Sequence, residues 1–238
     1  MSGKRNVLAA VRNNGYVLEF ASKALRADPE VVLTAVKENG RALHHASLAL
    51  RADREVVLAA VKQSGDALEN ASEALQADRE VVLAAVKNHG FALQFASEAL
   101  RADAEVVLAA VKQDGYALHS ASEALRADRG VVLAAVRQDG FALHASKVLR
   151  GDPEVVLAAV KENGRALRHA SEALRADRFL ARAAREASAL ARLPRLCRFL
   201  LARHRQESAA RVAAQADGWL IRHGQDGFAR ACKWQRAS

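Results

Sequence analysis

The sequence is poor in the residues on which disulfide-rich, aromatic-cored and membrane-spanning proteins depend. Its 238 residues include two cysteines, three prolines and one methionine, and 5% of them are aromatic. No apolar run approaches the roughly 18 residues of a membrane span, and the first residues lack the apolar stretch of a signal peptide. Cys197 and Cys232 have no metal-ligand spacing, so neither a disulfide nor a metal site is expected. The sequence favours a soluble protein, cytoplasmic by default, or organellar if a targeting segment has been removed.

A repeated unit fills most of the chain instead. Its marker is an aspartate that recurs in steps of 25 residues, with one step of 24, at Asp28, Asp53, Asp78, Asp103, Asp128, Asp152 and Asp177. Such a period is typical of stacked units, each of which contacts its neighbours rather than one closed core. The predicted fold is all-α: an α-solenoid of about seven 25-residue helix-turn-helix repeats with a C-terminal helical cap or tail. The array is predicted over 1–177 and the tail over 178–238, with units one to seven near 3–27, 28–52, 53–77, 78–102, 103–127, 128–151 and 152–176.

Unit three illustrates how each unit is expected to fold. Asp53 is a good N-cap, because its carboxylate can accept hydrogen bonds from the free N–H groups of a first helical turn. The run 56–61 is apolar almost all round, which predicts a helix packed between neighbours. Gly65 can adopt the left-handed conformation that ends a helix. A second, half-exposed helix is then expected, with an apolar face made by Ala67, Leu68, Ala71 and Leu75.

Unit six is one residue short. It reads Leu143-His144-Ala145-Ser146, without the residue that the other units place before their Ala-Ser pair. Deleting one helical position rotates the following residues by about 100°. Two outcomes are open: a local bend or changed superhelical twist around residues 141–152, or a shorter second helix absorbed by its loop.

The units, which read D-x-E-V-V-L-x-A-V-K-x-x-G-x-A-L-x-x-A-S-x-x-L, resemble a known helical repeat family of unknown function. That family is abundant in algae and other protists and occurs in some host-associated bacterial proteins. The resemblance covers roughly residues 7 to 177. It implies helical repeats and a role in protein interaction, and it supplies no catalytic residues.

The net positive charge lies in the tail. Residues 1–177 hold 23 Lys+Arg and 23 Asp+Glu, whereas residues 178–238 hold 13 and 4. Basic residues alternate there with leucines, a pattern typical of a helix that meets an acidic protein, an anionic membrane surface or nucleic acid. The same leucines could instead cover the open end of the array. The candidate contact residues of the tail are Arg192, Arg195, Arg198, Arg203 and Arg205.

Positions that vary between units are the candidates for contact with a partner, since the scaffold positions stay constant. Aromatic residues at these positions could stack RNA bases or pack on the neighbouring unit. Stacking also brings histidines such as His119 and His144 near each other, although a solvated pair is expected rather than a metal site. We name the two sets the variable columns. The first column, after each glycine, is Tyr16, Arg41, Asp66, Phe91, Tyr116, Phe141 and Arg165, and the second, after each conserved leucine, includes His44, His45, Phe95, His119 and His144.

No arrangement of side chains in the sequence predicts catalysis. The recurrent serines, such as Ser72, are expected to be scaffold residues whose hydroxyls bond to a helical carbonyl, so neither enzyme activity nor a cofactor is expected. The predicted function is a non-catalytic protein-binding scaffold, as a structural or accessory subunit of a larger assembly. The alternative is an RNA-binding helical repeat protein that uses the basic tail. The expected partner is therefore a protein, or nucleic acid through the tail, and the oligomeric state stays open.

Overall fold

The computed structural model describes residues 2–191, with side chains from residue 3 to residue 189. This part of the chain is all-helical, and its units stack side by side in sequence order, which confirms the predicted solenoid. Each unit begins with a long α-helix that contacts the long helices of the neighbouring units. The long helices of units one to seven are Ser2–Asn13, Pro29–Glu38, Arg54–Gln63, Arg79–Asn88, Ala104–Gln113, Arg129–Gln138 and Pro153–Glu162.

The aspartates start the long helices as predicted. In unit three, Asp53 accepts hydrogen bonds from the backbone N–H of Glu55 at 2.9 Å and of Val56 at 3.1 Å. Val56 and Val57 are buried against the neighbouring units, and so are Ala60 and Val61 farther along the same helix. A helix of ten residues is marginal alone in water, so this packing between units stabilises each helix.

The predicted second helix is in fact split in two. In unit three, a 3₁₀ helix begins at Gly65 and ends at Asn70. Ala71, which follows this helix, has an extended backbone, and a single α-helical turn begins after Ser72. The extended residue allows the backbone N–H of Ser72 to donate to the carbonyl of Arg51 in the preceding unit at 2.9 Å. The 3₁₀ helices are Gly15–Phe20, Gly40–His45, Gly65–Asn70, Gly90–Phe95, Gly115–Ser120, Gly140–Ala145 and Gly164–His169. The short α-helices are Lys23–Arg26, Leu48–Arg51, Glu73–Gln76, Glu98–Arg101, Glu123–Ala127 and Glu172–Arg175.

The expected role of the serine hydroxyl was also wrong. The hydroxyl of Ser47 accepts a 3.4 Å hydrogen bond from the backbone N–H of Leu50, so it caps the N-terminus of the short helix. By contrast, the hydroxyls of Ser72 and Ser97 are buried without a hydrogen-bond partner in the described part of the chain. In neither case does the hydroxyl bond to a helical carbonyl. The backbone N–H of the serine, rather than its side chain, joins it to the previous unit.

The predicted reason for the conserved glycines, a left-handed backbone at the end of the long helix, was wrong. No glycine in the described part of the chain has a left-handed backbone. The long helix ends instead at an extended residue, Ser64 in unit three, with φ −145° and ψ 112°. Gly65 is buried as the first residue of the 3₁₀ helix, and a Cβ atom there would lie 2.5 Å from the carbonyl oxygen of Ala85 in the next unit. Glycine is required because two backbones approach closely at this point.

The missing residue of unit six is absorbed within the unit. Its 3₁₀ helix is complete, but a 3₁₀ turn at Leu149–Gly151 replaces the short α-helix. The long helix of unit seven still packs against that of unit six. The shortened segment, rather than the stacking of the long helices, therefore accommodates the deletion.

A last helix, Arg178–Ala191, follows unit seven. Asp177 accepts a 2.8 Å hydrogen bond from the backbone N–H of Leu180, as the aspartates of the array do for their long helices. Leu180 and Ala184 are buried in the core of the array, and a Cβ atom on Gly164 would meet the carbonyl oxygen of Ala184. The first part of this helix thus occupies the position of an eighth long helix. The tail arginines Arg192, Arg195, Arg198, Arg203 and Arg205 lie outside the described residues.

Candidate partner-binding surface

The layer of 3₁₀ helices presents the first variable column. In five of the seven units, the residue before the glycine fixes the backbone there, because its side chain accepts a hydrogen bond from the backbone N–H of the residue after the glycine. Asn14 accepts from Tyr16 N–H at 3.0 Å, and Asp114 accepts from Tyr116 N–H at 2.9 Å. The aromatic side chains are held at the surface, with Tyr16 42%, Phe91 37% and Tyr116 45% exposed.

Residues of both variable columns meet in an open groove with a volume of about 500 Å³, which we call the N-terminal groove. It spans units one to four. Predicted residues line most of it, and they are Tyr16, Arg41, His44, His45, Asp66, Phe91 and Phe95, joined by Glu69, Asn70, His89 and Gln94.

Polar contacts inside the N-terminal groove join three of its ionisable side chains. Arg41 Nη2 lies 2.6 Å from Asp66 Oδ2, and His89 Nδ1 lies 2.5 Å from Asp66 Oδ1. Burial raises the pKa of Asp66, but the hydrogen bonds from Arg41 and His89 outweigh it and lower the pKa overall. His44 Nδ1 is 2.8 Å from Asn70 Oδ1. The groove therefore offers aromatic side chains and imidazoles beside an internally compensated ion pair.

Farther along the array, histidines of successive units stand one above another. We call His119, His144 and His169 the histidine ladder. The ring centroids of His119 and His144 are 5.5 Å apart, and those of His144 and His169 are 5.0 Å apart. Tyr116 stacks on His119 with a centroid distance of 5.0 Å. The predicted approach of His119 and His144 is present in the structure.

The surroundings of two residues of the histidine ladder, His119 and His169, disfavour protonation. Burial is the largest cause that lowers the pKa of His119, followed by the charges of His144 and Arg126. Burial also lowers the pKa of His169, with Arg168 and His144 adding to the effect. Both imidazoles therefore resist the positive charge that they would otherwise acquire just below neutral pH.

In units two and three, the residue near the end of the short helix bonds to the scaffold, whereas the Nε atoms of Arg101 and Arg126 are buried without a hydrogen-bond partner in the described part of the chain. Arg51 Nε donates to the carbonyl oxygen of Asn70 in the next unit at 2.5 Å. Gln76, which replaces arginine in unit three, donates to the carbonyl oxygen of Leu68 at 3.1 Å. These side chains satisfy carbonyls at the C-terminal ends of the 3₁₀ helices.

Three consecutive segments of the chain, residues 28–76, 78–126 and 128–175, match the family described as Domain of unknown function (DUF4116). The chain belongs to this family. Each DUF4116 segment spans two of the units described above, so the array contains three such pairs between unit one and the last helix. No curated protein and no solved structure matches the chain.

Other kinds of site are not evident in the described part of this DUF4116 protein. Among these residues, no group of three or more His, Cys, Asp or Glu side chains is arranged to hold a metal ion. Within the same range, no helix has both the length and the apolar character that crossing a bilayer requires.

The structure brings most of the predicted contact residues together, but in two groups. Arg165 belongs to neither group and lines a separate depression with Gly164 and Arg168. His89 was missed, although its position before Gly90 offered a signal, because Asn, Ser or Asp occupies that position in the other units. His169 was not singled out as a candidate contact residue, because the sequence does not show that its ring meets that of His144 in the preceding unit.

Proposed function

We propose that the array is a non-catalytic scaffold that binds a protein partner along the outer side of its 3₁₀ layer. One observation carries the proposal: the residues that differ between units lie next to each other on this layer, whereas the constant residues fill the core. Leu18, Leu43, Leu68, Leu93, Leu118 and Leu143 are fully buried in successive units. The side chains beside them differ in size, charge and aromatic character from unit to unit, while the leucine stays buried.

The chemistry of the N-terminal groove supports a protein partner. Exposed Tyr16 and Phe91 offer large contact area, and aromatic residues are enriched where proteins bind one another. The pair Arg41 and Asp66 can orient a partner without presenting a strong unbalanced charge. A protein that binds the phosphates of RNA needs such an unbalanced positive charge. A role as a structural or accessory subunit of a larger assembly fits this surface.

Affinity purification of the tagged full chain, followed by mass spectrometry and nucleic-acid sequencing, tests the proposal. The bound material is compared between the parent chain and a double variant, Tyr16→Ala with Phe91→Ala. The matched control is Lys87→Ala with Lys112→Ala, which removes two exposed side chains from the ends of long helices. The proposal requires a protein that the double variant loses and the control keeps.

The result that would overturn the proposal is equally specific. Recovery of RNA, with retention that falls steeply between low and moderate salt and ignores the Tyr16 and Phe91 substitutions, would favour the RNA-binding alternative. Circular dichroism of each variant separates lost binding from lost folding.

A further inference from the structure

A second depression, with a volume of about 650 Å³, lies between units six and seven. It is centred on the shortened segment of unit six, where Lys147 and Val148 form a turn in place of the usual short helix. Val148 is 71% exposed there. We call this depression the basic cleft, and its ionisable lining residues are His144, Lys147, Arg150, Arg168, His169 and Arg175.

The basic cleft is lined by cations without a carboxylate. Within the described residues, Lys147, Arg168 and Arg175 form no ion pair, in contrast to Arg41 of the N-terminal groove. Lys147, Arg168 and Arg175 are also exposed, so their charges face solvent. The candidate surface thus carries a compensated ion pair in the N-terminal groove and unpaired positive charge in the basic cleft.

One cation of the basic cleft is anchored to the backbone. Arg150 Nη2 donates to the carbonyl oxygen of His144 at 2.5 Å, and Arg150 is half-buried. This contact spans the shortened segment from one side to the other. The one-residue deletion in unit six therefore opens the basic cleft, and Arg150 of the same unit stabilises the shape of the cleft.

The aromatic rings at this end of the surface already have partners inside the protein. The Arg168 guanidinium lies 5.0 Å from the centroid of the Phe141 ring, and the His169 ring meets Phe141 edge to face at 6.0 Å. Tyr116 is stacked on His119. Binding of single-stranded nucleic acid relies on free aromatic faces for its bases, whereas pairing with carboxylates needs only the charged groups.

We propose that the basic cleft binds an acidic segment of a polypeptide, whose Asp and Glu carboxylates pair with Lys147, Arg168 and Arg175. Arginine suits this role, because its planar guanidinium forms two parallel hydrogen bonds with a carboxylate. The inference rests on the proposed function. It adds the chemical class of one segment of the partner and the direction in which the partner lies along the array. The acidic part of the partner lies on units six and seven, and its remaining part runs toward the N-terminal groove.

Fluorescence anisotropy with the full chain tests this inference. The probe is a short labelled peptide of Asp, Glu and Ser, and the comparison peptide has Asn and Gln at the acidic positions. The variant is Lys147→Ala with Arg168→Ala and Arg175→Ala. The control is Lys87→Ala with Lys112→Ala and Lys161→Ala, which removes the same charge from the ends of long helices.

The acidic peptide should bind the parent chain and the control equally, and the cleft variant about tenfold or more weakly. The neutral peptide should bind none of them. Equal binding of the acidic peptide to parent and cleft variant would place the attraction elsewhere, including in the basic tail, and would overturn the inference. An RNA oligonucleotide that binds more tightly than the peptide and is lost in the same variant would overturn it as well.

The outcome is separable from that of the proposed function. If the Tyr16 and Phe91 substitutions release the protein partner while the cleft variant keeps it and also keeps the peptide, the scaffold function stands and the acidic-segment inference fails. If neither variant affects the partner, both fail.

Discussion

A Cβ atom on Gly40 would lie 2.3 Å from the carbonyl oxygen of Ala60, in the long helix of the next unit. Real Cβ atoms do not approach an oxygen so closely, and the obstacle is backbone, which cannot rotate away. The same clash recurs between each conserved glycine and the next unit. These glycines therefore set the spacing between units.

Replacing Gly40 by alanine should destabilise the array. The added methyl group must push unit two away from unit three, which disturbs the packing on both sides of the joint. Overpacking of this kind costs about 1–3 kcal/mol. Urea unfolding followed by circular dichroism should show that loss as a lower midpoint.

Gly151→Ala is the matched control for that prediction. A Cβ atom on Gly151 has no heavy atom within 4 Å, and other units have alanine at this position. The substitution should leave stability unchanged or raise it by about 0.4–1 kcal/mol, because it restricts the unfolded chain. Equal losses in Gly40→Ala and Gly151→Ala would contradict the steric account.

The period of the sequence predicted the array, but a single unit could not reveal what each conserved residue does. Asp53 has one common role before an apolar helix, and that prediction was correct. Gly65 can serve either a left-handed backbone or a close approach, and the second depends on Ala85 in the next unit. The Ser72 N–H bond to Arg51 likewise joins two units, so the split of the second helix was not predicted.

The candidate surface was predictable to a similar extent. Variation between units identified Tyr16 and Phe91 as outward-facing, because a position that tolerates change does not fill a core. The sequence could not show that such residues would gather in two groups. That division depends on which side chains of neighbouring units contact each other, as Asp66 does with Arg41 and His119 does with His144.

Ion pairs between neighbouring units should make the array sensitive to acid. Arg54 Nε lies 3.0 Å from Asp78 Oδ2 in the next unit, and this hydrogen bond is the first cause that lowers the pKa of Asp78. Arg79 and Asp103 repeat the arrangement, although there the backbone hydrogen bond from Val106 is the largest cause of the lowered pKa. A pKa lowered by folding means that the ionised carboxylate stabilises the folded state.

This stabilisation is present above the usual aspartate pKa of 3.8 and is lost as the pH falls through the lower pKa of the folded state. The free energy of unfolding, measured with urea, should therefore decrease as the pH is lowered below about 4. Arg54→Gln with Arg79→Gln should reduce the size of this decrease. An unchanged pH profile in the double variant would show that these ion pairs contribute nothing to the loss of stability in acid.

The histidine ladder should add a second pH dependence at milder acidity. Because the pKa values of His119 and His169 are lowered in the folded state, the unfolded chain binds protons more readily than the folded chain. The resulting stability is present above the unfolded pKa near 6.5 and is lost as the pH falls through the lower folded values.

The measurement is nuclear magnetic resonance titration of the imidazole C–H signals, combined with urea unfolding between pH 7.5 and about 5. His119→Gln with His169→Gln should flatten the change in stability over this interval. His44→Gln is a suitable control, since His44 belongs to the same variable column but lies in the N-terminal groove. Titration of His119 at or above the ordinary histidine pKa would contradict the prediction.

Restoring the missing residue of unit six should rebuild its short helix. Unit five reads His119-Ser120-Ala121-Ser122, and its Ser122 N–H donates to the carbonyl of Arg101 in unit four at 2.9 Å. In unit six, the N–H of Ser146 instead bonds to Leu143 of its own unit at 3.3 Å. A serine inserted after His144 would let Ser146 reach the carbonyl of Arg126.

That insertion should raise the free energy of unfolding by about 0.5–1.5 kcal/mol, the net value of one hydrogen bond. Hydrogen exchange should show slower exchange at the Ser146 amide, and the acidic peptide should bind more weakly because the new helical turn fills the basic cleft. A serine inserted after His119 is the control, and it should destabilise unit five, which already has the full length. If both insertions destabilise the array equally, the shortened segment is an optimised packing arrangement rather than an opening in the surface, and the cleft does not owe its shape to the deletion.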